Sequence, residues 1–418
     1  MDKKTKIFII SDHPLSPSGV GTQTRYMIDA LHATGKYEFV CFGGAIRHAD
    51  YKPMKVEKYG DDLIIFPVDG YGNHEQVRSL IRTHKPDMLW FMTDPRFYEW
   101  LWEIEDEIRP LIPMVYYHVW DNVPYPMYNK RHYESTDVMV TISRVTNEIV
   151  KNVAPDIELH HIPHAVDNSI FRKIPTGDLA SFKKEYFGDD NKFTIFWNNR
   201  NARRKQSGSL IWWFSEFLEK VGKENARLVM HTDVNDPHGQ NLVTLIERLG
   251  LTNQEVIFSQ QKVDPAILSM LYNVADCTIN IADAEGFGLG TLESLSCETP
   301  IIVTMTGGLQ EQVTDGEEWF GVGIEPSSKA IIGSQQVPYI YEDRVSGDDV
   351  VSALLKLYEM SPEQREELGA KGRQHVLDNF GFSNYGKQWN DLIEDICERH
   401  GSWDTRKGYN RWELEEIK

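Results

Sequence analysis

Residues 280–307 read NIADAEGFGLGTLESLSCETPIIVTMTG. An apolar run at 277–281 reads as a buried strand that ends in a short acidic, glycine-rich loop. The pattern predicts a helix from near Leu289 and a second apolar strand at 300–304. Strand, glycine loop, helix, strand is the plan of a phosphate-binding crossover. Gly286, Gly288 and Gly290 let backbone N–H groups approach a ligand without Cβ atoms in the way. The helix N-terminus behind them adds about half a positive charge. Glu285 and Glu293 stand eight residues apart. At ~1.5 Å per helical residue that is at most about 12 Å along an axis. The spacing suits two carboxylates gripping two hydroxyl-bearing rings on either side of a pyrophosphate.

The run EGFGLGTLE, 285–293, resembles the E-x7-E signature of retaining glycosyltransferases of family 4 (glycosyl transferases group 1), which share the GT-B fold. The continuation CETPIIVTMTGGLQEQV resembles the same family's Thr-Pro, buried strand, Gly-Gly and acid. The resemblance implies an α/β protein of two Rossmann-like domains, with parallel sheets facing across a cleft. It places an acceptor domain at 1–168, completed by a last helix at 382–399, a nucleotide-sugar donor domain at 169–381, and a tail at 400–418.

Length and composition agree with two ordinary domains: 418 residues, 41% hydrophobic and 26% charged. The formal net charge of −19 disfavours nonspecific binding to nucleic acid or anionic membrane. Cys41, Cys277, Cys297 and Cys397 form no C-x-x-C pair, so neither a disulfide framework nor a zinc site is indicated, and a cytoplasmic setting fits. The opening MDKKTKIFIISDHP is cut off by Asp12 and reads as a first strand rather than a signal peptide. No apolar run approaches the ~20 residues of a membrane span.

Strands at 6–11, 39–42, 63–67, 88–92, 113–118, 138–142 and 159–162 alternate with helical patterns at 22–34, 74–84 and 97–108. That alternation predicts a parallel sheet covered on both faces, with ligands at the carboxyl ends of its strands. Gly19 and Gly21 stand at the entrance of the first helix; a tight turn explains them as well as a ligand does. The loop lacks the full dinucleotide fingerprint, which speaks against a nicotinamide cofactor. His118 ends a strand, followed by VWDNVPYP; Asp121 either holds its ring or caps the next segment. In the resembled family a histidine at this place contacts the donor sugar, which assigns His118 that role by resemblance. Ser143 is a candidate helix N-cap. IPHAVDN at 162–168 resembles the interdomain segment, with Ala165 where the family usually has glycine. His160 and His161 point to opposite faces of a strand and make a poor metal pair.

Residues 168–191 read as a polar linker with a short helix, and strands follow at 193–197, 228–231 and 256–259. The first of these leads into WNNRNARRKQSGS. Arg200 and Lys205 match the family's diphosphate-binding arginine and lysine, and arginine suits a phosphate through bidentate N–H donation. Arg203 and Arg204 thicken the cluster; a solvated loop is the rival reading. Asp233 and Asp236 read as turn and cap residues before metal ligands. By resemblance the loop at 259–265, with Gln260 and Gln261, holds the base, and Gly19, Gly21, Gly286, Phe287, Gly288, Leu289, Gly290, Thr291 and Glu293 bind the donor. The segment 325–344 reads as a loop insertion near the donor, and helices follow at 348–358, 362–379 and 382–399. The tail holds Trp403, Tyr409 and Trp412, is too polar for a core, and reads as docking elsewhere or on a partner.

The implied function is transfer of a sugar from a UDP- or GDP-linked donor to an acceptor hydroxyl, with retention and without a metal or cofactor. The catalytic set is His118, Glu285, Arg200 and Lys205. The acceptor stays open: a glycan, lipid carrier, small molecule, protein or hydroxylated DNA base. Acidity lowers the lipid and DNA options, although Lys130, Arg131 and His132 offer a basic lip. A sugar-nucleotide epimerase would need further acid/base residues, and an inactive binding module would be expected to have lost Glu285, Arg200 or Lys205.

Overall fold

Apolar runs separated by helices build one parallel sheet in each of two units of the chain. The computed structural model describes residues 3–188 and 191–410. The units are Met1–Ala165 with Phe382–Lys418, and Val166–Gly381.

The strands of the first unit are β1 (Thr5–Asp12), β2 (Tyr37–Gly44), β3 (Met54–Lys55), β4 (Leu63–Pro67), β5 (Met88–Met92), β6 (Met114–His118), β7 (Val138–Thr141) and β8 (Glu158–His161). They lie in the order β3-β4-β2-β1-β5-β6-β7-β8. All pairs are parallel except β3 with β4. Helices cover both faces, so the middle of the central strand is a continuous apolar run: Ile7, Phe8, Ile9 and Ile10 are fully buried. Strand order reverses direction between β1 and β5, which puts the ligand crevice of such a sheet at their carboxyl ends.

The helix Gly19–His32 follows β1, capped by the Ser18 hydroxyl, which accepts from the Gly21 amide at 3.0 Å. The helix expected at 97–108 is two single turns, Glu99–Trp102 and Glu105–Ile108; Ile104 leaves helical geometry (φ −118°, ψ 20°) to bury its side chain. Ser143 caps the helix Arg144–Val153 as read from sequence. Ala165, where glycine was anticipated, pairs both ways with Gln23: its carbonyl accepts at 2.7 Å and its amide donates at 3.0 Å.

Helix Phe382–His400 completes this unit. Trp389 is fully buried and meets Trp90 and Tyr117 edge-on at 5.8 and 5.0 Å. Burying a large apolar side chain contributes about 1.5–3 kcal/mol. Residues 401–410 do not dock elsewhere. They fold onto the same unit, where Arg406 donates to Asp137 at 2.9 Å and to the Arg109 carbonyl at 2.7 Å. A polar tail is held by charge-assisted bonds instead of core burial. Trp412 lies outside the described residues.

The second unit holds β9 (Phe193–Asn198), β10 (Ala226–His231), β11 (Val256–Ser259), β12 (Cys277–Asn280), β13 (Ile301–Thr304) and β14 (Gly321–Ile324). Their order is β11-β10-β9-β12-β13-β14, parallel throughout. Here the reversal falls between β9 and β12. Ile195, Trp197, Leu228, Met230 and Ile279 pack against Phe214 and Leu354 of the covering helices. The polar segment before β9 carries helix Thr176–Phe187. The segment read as a loop insertion is an antiparallel hairpin, β15 (Ser328–Ile332) with β16 (Ile340–Arg344). Among the described residues no helix is long and apolar enough to cross a membrane.

Candidate active site

The loops after β9 and β12 emerge side by side at the reversal point, which is where an open parallel sheet binds its ligand. The loop after β12 passes through Glu285 and enters helix Leu289–Ser296. Its N-cap, Gly288, has φ +91°, a region in which a side chain is strained. Gln312, fully buried, donates to the carbonyls of Phe287 (2.7 Å) and Gly288 (3.1 Å), and the Gly308 amide donates to the Glu285 carbonyl at 3.1 Å. The carbonyls of Glu285, Phe287 and Gly288 are thereby occupied. The first amides of a helix have no acceptor within it, so this end attracts anions.

The Lys205 ammonium donates to Oε2 of Glu285, and both side chains are about nine-tenths buried. Asn280 donates to the same oxygen at 3.3 Å. Burial alone would raise the Glu285 carboxyl, but Lys205 and Arg204, with the bonds from Lys205 and Asn280, outweigh it and hold it at about 2. Glu285 is therefore an anion, and Lys205 is fixed beside it at the floor of the loop.

Glu293 sits about one turn into the helix, half-buried, and accepts from the Tyr272 hydroxyl at 2.8 Å. Tyr272 in turn accepts from the Asn198 amide at 2.8 Å. Burial raises the Glu293 carboxyl to about 7 against the opposing Tyr272 bond. The two glutamates thus occupy opposite electrostatic settings, one held ionised and one poised near neutrality.

Arg200 lies on the exposed side of the β9 loop, 61% exposed, and grips Asp236 through Nε and Nη2. Asp233 and Asp236 accept turn amides, from Asn235 and His238 respectively, both at 2.9 Å. Among the described residues no group of three His, Cys, Asp or Glu could hold a metal ion. Arg204 donates to the Ala284 carbonyl, and Arg203 takes Glu342 of β16. Gln260 and Gln261 are exposed on the loop after β11. Gly286, Leu289 and Gly290 are partly accessible, while Thr291 is buried, bonded to Gln312 at 2.7 Å, and Phe287 is packed edge-on to Phe380.

His118 lies at the carboxyl end of β6. It is fully buried; Nε2 bonds the Tyr133 hydroxyl at 2.7 Å, and the rings of Tyr116 and Tyr133 lie within 4.9 Å. Burial and the neighbouring His132 lower its pKa to about 3. Its position at a strand end suggests access, and Tyr133 on the following helix packs against the ring. Gly21 has a local cause as well: a Cβ there would meet the His13 carbonyl at 2.7 Å, and its amide is already taken by Ser18. Gly19 is exposed in the first helical turn. The basic lip is also partly occupied, because His132 stacks on Trp102 at 4.5 Å and Lys130 pairs with Glu134 at 3.5 Å.

Residues 180–375, nearly the whole second unit, match the family Glycosyl transferases group 1. The second unit is a glycosyl transferases group 1 domain. The chain as a whole is 21% identical over 266 residues to N-acetyl-alpha-D-glucosaminyl L-malate synthase of Bacillus anthracis, covering 63% of this chain and 61% of that relative. Sucrose-phosphate synthase from Thermosynechococcus elongatus superimposes with TM-score 0.76 at 16% identity, over 94% of this chain and 100% of that one. Anabaena HepE, solved with UDP-glucose, superimposes with TM-score 0.68 at 15% identity, over 94% and 100%. These structures establish the fold as GT-B.

Proposed function

We propose that the protein is a retaining glycosyltransferase that moves a sugar from a nucleoside diphosphate sugar to an acceptor hydroxyl. The observation that carries this reading is the buried Lys205–Glu285 pair at the mouth of the helix that also bears Glu293. The Anabaena neighbour's UDP-glucose complex supports the donor class. In this reading the diphosphate lies against the amides of 286–290 with Lys205 and Arg200 as cations. Glu285 accepts from sugar hydroxyls, and Glu293 accepts from the ribose.

The bond from the anomeric carbon to the diphosphate oxygen breaks, and charge builds on that oxygen. Fixed cations and amides stabilise it without reorganising, which is the largest expected catalytic term. The acceptor oxygen bonds the anomeric carbon on the same face, and its proton passes to the leaving phosphate oxygen. Both ends of the balance are then met without a protein base. Two cations and a helix terminus supply the charge that a divalent ion supplies elsewhere, so we assign no metal. Fully buried His118 is assigned to support the end of β6 through Tyr133. The acceptor domain is the first unit, and the setting is cytoplasmic. A panel of UDP- and GDP-sugars tests the reading, with hydrolysis and thermal shift as readouts. Absence of both for every donor overturns it.

A further inference from the structure

The hairpin β15–β16 buries little apolar surface, with Ile331 at 73% and Tyr341 at 37% exposure. A lone two-stranded hairpin is marginal in water. Its attachment is electrostatic. Glu342, side chain 3% exposed, accepts from both terminal nitrogens of Arg203 at 2.8 and 2.6 Å and from Arg344 at 3.0 Å. Arg344 also pairs with Asp283, equally buried, which takes the Gln206 amide at 2.7 Å. Backbones join in: the Asp343 amide donates to the Asp283 carbonyl at 2.9 Å, and the Asp283 amide to the Arg204 carbonyl at 2.8 Å.

Two acids and two arginines therefore alternate in one chain that touches both donor loops. Arg203 precedes Lys205 by two residues, and Asp283 precedes Glu285 by two. Buried ion networks are a poor source of stability, because desolvation offsets their attraction. Bidentate arginine–carboxylate pairs do fix orientation as well as distance. A network so placed is suited to holding geometry.

We propose that Glu342 and Arg344 are positioning residues of the donor site: through Arg203 and Asp283, the hairpin straps together the loops that carry Lys205 and Glu285. This rests on the donor reading above. When a diphosphate enters, Lys205 must be shared between Glu285 and phosphate oxygens, and the strap keeps the two loops at a fixed separation while that happens.

Hydrogen exchange on the full chain compares wild type with E342Q, R344Q, R344K and K329A. Amides of 199–206 and 282–290 are expected to exchange about tenfold faster or more in E342Q and R344Q. R344K should restore part of the protection. K329A, on the same hairpin but outside the Arg203–Glu342–Arg344–Asp283 chain, should match wild type. With the nucleotide sugar that wild type hydrolyses, kcat should fall by about 10- to 100-fold in E342Q and R344Q at nearly constant KM. Unchanged exchange in both loops, unchanged kcat, or loss of protection throughout 166–381 overturns the strap. UDP and GDP titrations separate the two ideas. If wild type binds neither, the donor reading fails and the positioning role falls with it; if it binds one and the loops stay protected, the strap alone fails.

Discussion

The Tyr272 hydroxyl donates a 2.8 Å hydrogen bond to Oε2 of Glu293, and the Asn198 amide stands behind it at 2.8 Å. Burial lifts this carboxyl from 4.5 to about 7. A group raised in this way contributes stability that is present below its unfolded value and lost as pH rises through about 7. Binding has the opposite sign, because ribose hydroxyls donate best to the ionised form. UDP or GDP affinity should therefore climb with pH up to about 7 and then level. Calorimetry on both sides of that value checks it. Glu293→Gln should flatten the profile, and Glu293→Ala should lose on the order of 1–3 kcal/mol of nucleotide affinity. Unchanged affinity in the alanine variant removes Glu293 from the site.

Lys205→Ala and Arg200→Ala should each lower kcat by about 100-fold or more, a transition-state loss of roughly 2.7 kcal/mol. Their effects on folding should differ. Removing Lys205 leaves Glu285 buried without its nearest cation, which costs about 3–5 kcal/mol; Arg200 is 61% exposed and should melt close to wild type. Steady-state kinetics with thermal melts separates the two. Equal, modest losses that added salt erases would reduce the loop to a screened positive patch.

Transfer should survive exhaustive EDTA treatment. Arg200 already occupies Asp236, and the Asp233 carboxylate serves a turn amide. Loss of activity that magnesium or manganese restores would return both aspartates as ligands.

Glu158 accepts from His160 and His400 at 2.9 Å and from Arg399 at 2.7 Å. Burial opposes ionisation there, yet these bonds outweigh it and hold the carboxyl well below its usual range. The contribution is present above the unfolded carboxylate pKa and is lost as pH falls. Glu158→Gln should cost about 1 kcal/mol at neutral pH, the scale of partly exposed pairs, and less in acid. Chemical denaturation at several pH values measures the difference.

The strands are legible from sequence where both faces are buried, because such strands read as continuous apolar runs. β14 escapes notice because its sequence, GVGI, is half glycine. The hairpin escapes because β15 is largely exposed, β16 buries a glutamate, and neither carries an apolar alternation strong enough to mark it. The glycine loop and its helix are local patterns and can be read directly. Side-chain partners across long separations cannot: Lys205 meets Glu285 across 80 residues, and Arg203 meets Glu342 across 139. Tyr272 reads as an ordinary core position of its helix, and only the fold brings its hydroxyl to Glu293. For His118, position at a strand end suggests access, but access depends on where Tyr133 lands.

Trp389 closes the face of the first sheet that Trp90 and Tyr117 present, yet it is encoded more than two hundred residues after the last strand of that sheet. On the ribosome, residues 1–165 emerge before 166–381, which follow as one uninterrupted stretch. The unit made first is thus the last to be finished. A nascent chain that has reached only residue 381 holds every strand of the second unit, while the first still lacks the helix that seals its aromatic face. Such an intermediate exposes apolar surface for the time it takes to synthesise the second unit, and transiently exposed apolar surface is prone to misassembly.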